Sequence, residues 1–309
     1  MRIVVVGAGG VGGYFGGLLA KAGQDVTFIA RGAHLAAMLA DGLTVESETT
    51  PFHVAEVRAT EDPAAAGTAD IVLFAVKLYD MEATAPTLKP LIGPETVVVT
   101  LQNGIDAPEI VGRAVGPRHV VPGVARISAV VARPGVVRHN GLVPSIVFGP
   151  VDPAQAAPLQ ALKAACDASA LTAVLTDDPW RAVWEKFVFL ASMSGLTALT
   201  RHAMGPIRTN PATRALLRES LAETAAVAAA LGVRLPADLP ERTLGFMDSL
   251  PPGARASMLE DLERGRRLEL PWLSGAVARL GAANGVATPI HRTIAAALAL
   301  QVDGQPVKG

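Results

Sequence analysis

Three glycines near the N-terminus carry the clearest chemistry in this sequence: Gly7, Gly9 and Gly12, in the spacing Gly-x-Gly-x-x-Gly, with Gly10 beside them. In such a pattern the first glycine permits a tight turn, the second lets the backbone approach a pyrophosphate, and the third lets a helix pack closely on a strand. The helix that follows presents unpaired N–H groups and the positive end of its dipole to the anion. The run Gly7, Ala8, Gly9, Gly10, Val11 and Gly12 is therefore the expected cradle for a dinucleotide. Enzymes that take NAD hold the ribose 2′-hydroxyl with a carboxylate ~20 residues further on. Here that place reads Ala30-Arg31. A carboxylate would repel a 2′-phosphate, whereas a guanidinium grips it with charge-assisted bonds, so the expected cofactor is NADP(H), held in part by Arg31. The competing readings are a glycine turn that serves packing alone and an Arg31 that is simply solvated.

A scaffold for these residues is legible in the hydrophobic pattern. Residues 2–6 read as a buried strand, 10–22 as a helix of small residues, and 25–30 as a second strand after the turn at Gly23. The apolar run 71–76, a helical stretch over 81–91 and the β-branched run 96–100 repeat the alternation, which implies a parallel sheet covered on both faces. Over 120–148, short β-rich runs broken by Pro122, Pro134, Gly135, Gly141 and Pro144 suit a hairpin-rich extension of that sheet. A helix over 154–169 and a strand over 171–176 follow. Beyond Asp177 the strand signals largely stop. Trp180, Val183, Trp184, Phe187 and Ala191 recur at helical spacing, and Ala/Leu-rich helices continue to the end. The expected fold class is an α/β Rossmann-type N-terminal domain, residues 1–176, followed by an all-α C-terminal domain, residues 177–309.

Length and composition agree with two globular domains. The chain has 309 residues, 50% of them hydrophobic and 18% charged, enough to bury two cores and too apolar for disorder. Charges nearly cancel, 27 positive against 28 negative, with no long run of one sign, so no nucleic-acid partner is expected. A single cysteine, Cys166, excludes an intrachain disulfide framework, fits a reducing compartment, and reads as packing. Arg2 and the apolar residues after it imitate a secretion signal, but the glycines at 7, 9, 10, 12, 13, 16 and 17 suit a turn and a closely packed helix better. No segment reaches the ~18 uninterrupted strongly apolar residues of a membrane span. The expectation is a cytoplasmic protein with no membrane partner.

Further along stand, in order, Val76-Lys77, Gln102-Asn103-Gly104, Trp184-Glu185-Lys186, Leu196-Thr197-Ala198-Leu199, Ser257-Met258-Leu259 and Arg266-Arg267-Leu268-Glu269. In this ordered set, and along essentially its whole length, the chain resembles the ketopantoate reductase family. The resemblance implies NADPH-dependent reduction of a 2-keto acid to a 2-hydroxy acid, foremost 2-dehydropantoate (ketopantoate) to pantoate in pantothenate and coenzyme A biosynthesis. It implies Lys186 as the catalytic residue, Asn103, Ser194, Ser257 and Glu269 as substrate contacts, and Lys77 and Asn103 as cofactor contacts.

General chemistry makes the same demand. Hydride addition creates an alkoxide, so a proton donor must stand at the carbonyl oxygen, and a cation there stabilises the developing charge. A lysine does both. The alternative for Lys186 is an ordinary lysine lying along a helix surface. Asn103 follows an apolar strand and precedes Gly104, so it lies at the strand's C-terminal end, where open α/β sheets place ligands. Asn-Gly is also an ordinary turn pair, and Lys77 reads alternatively as a solvated strand end. Twelve residues of unbroken helix would hold Ser257 and Glu269 ~18 Å apart, too far for one small acid. Either the helix breaks, with Gly265 the candidate, or one of the two does not touch substrate. Glu260, Asp261, Glu263, Arg264, Arg266 and Arg267 read as a solvated, ion-paired face, His139 and His291 as structural or surface residues, and no metal site is expected.

The resemblance departs at two positions. Family members that reduce ketopantoate carry asparagines four and eight residues after the lysine, on one helical stripe with it. This chain has Leu190 and Ser194 there. Polar contacts to substrate are lost while the cofactor site is untouched, so a relative acting on a less polar keto acid or carbonyl compound is the second reading. A non-catalytic NADP sensor is the third. A homodimer is the candidate assembly.

Overall fold

The structure, a computed structural model, describes residues 1–304, with the side chain of Leu142 set aside. Two compact units are present: Met1–Gln102 with Asp106–Ala182, and Asn103–Ile105 with the chain from Val183 onward.

The first unit is built on a mixed, curled sheet. Its strands are β1 (Arg2–Val6), β2 (Asp25–Ile29), β3 (Leu43–Ser47), β4 (Phe52–Val54), β5 (Arg58–Thr60), β6 (Ala69–Phe74), β7 (Ile92–Thr100), β8 (Val120–Arg133), β9 (Val136–Phe148) and β10 (Thr172–Leu175). They lie in the order β4-β3-β9-β8-β7-β6-β1-β2-β5, with β10 beside β9. From β8 to β5 every neighbouring pair is parallel, as strand–helix–strand crossovers require. After its first residue β1 is wholly buried, as expected of a parallel strand covered on both faces. The chain passes from β1 to β2 on one side and later returns to β6 on the other. The C-terminal end of β1 is thus a topological switch point, where such sheets bind ligands.

The helix Gly10–Lys21 lies inside the curl, which explains its glycines. A Cβ on Gly16 would stand 2.7 Å from both Val5 and Phe28, one on Gly17 2.9 Å from Phe52, and one on Gly13 2.9 Å from Val137. The helix therefore meets β1 and β2 on one side and β4 and β9 on the other, at distances only glycine allows.

Two local readings of the sequence are corrected, and one stretch gains elements. Residues 120–148 form one long antiparallel hairpin, β8–β9, and not several short ones. Pro122 is tolerated at the last pair of the β7–β8 ladder, and Gly141 and Pro144 fall in a bulge between the pairs Ser128–Asn140 and Arg126–Ser145. Around that bulge β9 changes partner, from β3 to β10. Residues 81–91 are only briefly α-helical: Met81–Thr84 gives way to a 3-10 segment, Ala85–Leu91, because Pro86 and Pro90 cannot continue the α ladder. Between residues 30 and 71 the chain adds the helix Gly32–Asp41 and the short strands β3, β4 and β5, none assigned from the sequence.

Every regular element of the second unit among its described residues is helical. It takes in most of the helix Pro179–Thr200, then Met204–Thr209, Pro211–Ala230, Leu239–Ser249, Ser257–Glu263, Ser274–Ala283 and Pro289–Ala297. Asp178 caps the first of these, its side chain accepting from the Arg181 N–H at 3.0 Å, with Pro179 at the first helical position. That helix is long and apolar enough to cross a membrane by length and composition, but 67% of its apolar window is buried in the fold. It is a core helix.

A buried polar cluster ties two helices of this unit together. The Glu223 carboxylate accepts from the Ile290 and His291 N–H groups at 2.8 and 3.0 Å, satisfying N–H groups of the first turn of the Pro289–Ala297 helix that have no partner within it. His291, 0% exposed, has Nε2 3.0 Å from the Ser220 carbonyl and 2.9 Å from Thr224 Oγ1. A carbonyl only accepts, so Nε2 carries the proton, and Nδ1 is buried without a partner. Burial pulls the His291 pKa down to about 4 and pushes that of Glu223 up, against its two N–H donors.

Candidate active site

In the first unit, the glycine turn follows β1 directly. Gly7 adopts φ +94°, and a Cβ there would lie 2.8 Å from the Val76 nitrogen. At Gly12 a Cβ would be 2.2 Å from the Gly7 oxygen, and at Gly10 2.1 Å from the Ala129 oxygen. These three are demanded by the protein's own packing. Gly9 is different: a Cβ there meets nothing within 4 Å. Internal packing does not explain a glycine at this position, whereas close approach of a pyrophosphate to the backbone does. Gly9 is also the N-cap of the helix that follows, and no side chain caps it. The N–H groups of the first turn therefore point where an anion would bind.

Three more residues stand at the C-terminal ends of the parallel strands. Arg31, exposed, is the N-cap residue of the Gly32–Asp41 helix, two residues beyond β2. Lys77, exposed, lies just past β6. Gln102 lies just past β7 and buries both its amide nitrogen and its amide oxygen without a protein partner. The sequence places Gln102 in the Gln-Asn-Gly motif but carries no signal of its burial. An unexplained glycine, an uncapped helix start and an orphaned amide at the ligand-binding edge together fit a dinucleotide.

In the second unit, three residues far apart in sequence meet. Lys186 Nζ donates to Asn103 Oδ1 at 2.8 Å, and Asn103 Nδ2 donates to Glu269 Oε2 at 3.5 Å. A cation at one end and a carboxylate at the other fix which way the asparagine amide points. Each member is held by its element. Val183, Trp184 and Phe187 bury the adjoining face of the Lys186 helix, with the two aromatic rings edge to face at 5.4 Å. Glu269, 6% exposed, precedes the 3-10 turn Leu270–Trp272.

The helix carrying Ser257 stops at Glu263, as the spacing required if both residues were to serve one site. Gly265 takes φ +64°, its N–H bonds to the Leu262 carbonyl and the Arg266 N–H bonds to that of Asp261, the paired closure of a Schellman motif. Glu269 joins Asn103 and Lys186; Ser257 does not, and is exposed on the first turn of its helix. Ser194 is 1% exposed and its Oγ has no protein partner. Leu190, one turn before it, is half-buried.

Other polar residues singled out in the sequence serve the fold. Arg264 pairs with Glu260 at 3.9 Å, Arg266 with Asp261 at 3.7 Å, and Arg255 with Glu263, the ion-paired face expected there. His139 is buried, with Nδ1 2.9 Å from Ser47 Oγ and its ring 5.1 Å from that of Tyr14. Cys166 is buried and its thiol is pushed up to about 12, which leaves no thiolate for chemistry. Among the described residues, no group of three or more His, Cys, Asp or Glu side chains could hold a metal ion.

Family models match most of the chain. The family model described as ketopantoate reductase PanE/ApbA matches residues 3–153, and that of its C-terminal part matches residues 178–301. The chain belongs to the ketopantoate reductase family. It is similar to a 2-dehydropantoate 2-reductase of Mesorhizobium japonicum, 33% identical over 323 residues that cover 97% of this chain and 96% of the relative. Among solved structures it is similar to a 2-dehydropantoate 2-reductase from Geobacter metallireducens GS-15, with a TM-score of 0.90, 30% identity, and 97% and 99% of the two chains covered. A ternary structure of D-mandelate dehydrogenase with NADH and anilino(oxo)acetate shares the fold at a TM-score of 0.88 and 23% identity, over 97% and 98% of the chains. As a ketopantoate reductase family member, the chain is an NADP-dependent oxidoreductase that reduces keto acids. The fold also houses a mandelate dehydrogenase, so fold alone does not choose the acid.

Proposed function

We propose that this protein reduces 2-dehydropantoate to pantoate with NADPH, as a cytoplasmic enzyme, with residues 1–176 serving the cofactor and 177–309, together with Asn103, the substrate and catalysis. The observation that carries the proposal is the hydrogen-bonded chain from Lys186 through Asn103 to Glu269. Bound NADPH supplies a hydride. The protein's part is to hold the keto acid, to neutralise the alkoxide and to deliver a proton. Lys186 delivers that proton to the carbonyl oxygen, and its charge stabilises the oxygen as it turns anionic. Asn103 keeps the ammonium in place through its amide oxygen, and Glu269 both orients that amide and accepts a substrate hydroxyl. Gly7, Ala8, Gly9, Gly10, Val11 and Gly12 cradle the pyrophosphate, Arg31 takes the 2′-phosphate, and Lys77 also approaches the cofactor. Ser194 offers the substrate a hydroxyl, which its buried, unpartnered Oγ supports. A substrate role for Ser257 rests on family resemblance alone.

A second reading, a less polar 2-keto acid as preferred substrate, is favoured by Leu190. If the Lys186 stripe faces substrate, Leu190 presents methyl groups where a substrate hydroxyl needs a partner. A buried unsatisfied hydroxyl costs ~1–3 kcal/mol, roughly 5- to 150-fold in specificity. Specificity constants for 2-dehydropantoate and for 2-keto acids lacking its hydroxyl, followed by NADPH oxidation, separate the two. Under the second reading, Leu190→Asn/Ser194→Asn shifts preference towards 2-dehydropantoate. A wild type that already strongly prefers 2-dehydropantoate, with the double variant unchanged, leaves the first reading standing. Cofactor binding without turnover on any acid would favour the sensor instead.

A further inference from the structure

One imidazole joins the segments on which the cofactor site depends. His34 Nε2 lies 2.8 Å from the Ala8 carbonyl, inside the glycine turn, and the Gly135 N–H donates to His34 Nδ1 at 3.0 Å. Because Nδ1 accepts, the ring's single proton sits on Nε2 and is donated to Ala8. Neither backbone partner has room to drift. Ala8 is buried, and Gly135, at the tip of the β8–β9 hairpin, is buried against the His34 helix, where a Cβ would stand 3.1 Å from that of Ala37. The Gly135 carbonyl is also used, accepting from the Thr44 N–H at 3.0 Å. Further back along the hairpin, Ala129 closes against Gly10. Glycine turn, hairpin tip and the helix that starts after Arg31 are thus tied at one ring.

We propose that His34 is a positioning residue that sets the distance between the phosphate-binding turn and Arg31, and so sets the preference for a dinucleotide bearing a 2′-phosphate. The proposal rests on the assignment of that phosphate to Arg31. His34 lies three residues after Arg31, one helical turn away. Any slip of this helix relative to Ala8 displaces the guanidinium by a similar amount. The pyrophosphate is held by the turn whichever dinucleotide binds, so a slip weakens the 2′-phosphate contact selectively. Bidentate guanidinium–phosphate bonds depend strongly on geometry. A merely structural histidine would lower melting temperature and leave the ratio of the two cofactor affinities alone.

The test measures dissociation constants for NADPH and NADH on the full chain, for wild type, His34→Ala, His34→Gln and Arg31→Ala, with thermal melting to establish that each is folded. His34→Ala is expected to bind NADPH roughly 10-fold more weakly, the effect of a weakened charge-assisted contact between Arg31 and the 2′-phosphate, while NADH affinity and turnover at saturating NADPH change less than about threefold. His34→Gln keeps one donor and one acceptor and should restore most of the NADPH affinity. Equal losses for both cofactors, unchanged NADPH affinity in folded His34→Ala, or a glutamine variant no better than alanine overturns the proposal. If Arg31→Ala leaves the NADPH to NADH ratio at its wild-type value, the assignment of the 2′-phosphate has failed, and the proposal fails with it for that separate reason.

Discussion

Acid should destabilise the helical unit through His291, and the size of the effect follows from its surroundings. The ring is fully buried and neutral, with a pKa near 4 against an ordinary value of 6.5. Above pH 6.5 it is neutral in both the folded and the unfolded chain, and its contribution is fully present. As pH falls from 6.5 towards 4, the unfolded chain takes up a proton that the folded chain refuses, so stability is lost with decreasing pH. The whole gap corresponds to about 3 kcal/mol, of which about 2 kcal/mol falls between pH 7.5 and 5. Glu223 acts with the opposite sign, since its raised pKa favours the folded state as pH falls. Comparison with His291→Leu cancels that term, because Glu223 is bonded to backbone N–H groups that the variant retains. Guanidinium unfolding followed by tryptophan fluorescence is a suitable assay, since Trp180, Trp184 and Trp272 all lie in the C-terminal half of the chain. The variant should start less stable at pH 7.5 and lose about 2 kcal/mol less than wild type on going to pH 5. Parallel pH profiles would refute the reasoning, showing either that the ring protonates in the folded state or that it is less buried than described.

Two further outcomes bear on the site. Arg31→Asp should narrow or reverse the preference for NADPH over NADH, checked by specificity constants for both cofactors; equal wild-type constants would remove Arg31 from the 2′-phosphate. Lys186→Ala should lower turnover roughly 100-fold or more while NADPH affinity stays within about twofold, because the lysine is assigned to the reacting carbonyl and not to the phosphates. Near-wild-type turnover would make it an ordinary helix-surface lysine.

The features legible in the sequence are those that neighbouring residues impose on one another. A glycine spacing between a strand and a helix announces the tight turn after β1, because positive φ and close backbone approach at Gly7 exclude other side chains locally. The change from strand alternation to helical spacing near residue 177 separates an α/β half from a helical one, and Gly265 marks a helix end by the same local steric rule. Tertiary structure decided what joins residues with no periodic relation. Lys186 and Asn103 are 83 residues apart and Asn103 and Glu269 are 166 apart, yet the three form one hydrogen-bonded chain. The family resemblance named them; the sequence pattern could not say that they touch. Burial of both amide atoms of Gln102, exposure of Ser257 and the grip of His34 on Ala8 and Gly135 were likewise invisible. Even the long β8–β9 hairpin was hidden by its prolines and glycines, which act as breakers locally but are tolerated once a bulge lets β9 change partners. Backbone preference acts over a few residues and can be read along the chain, whereas burial and long-range hydrogen bonds exist only after distant segments have been brought together.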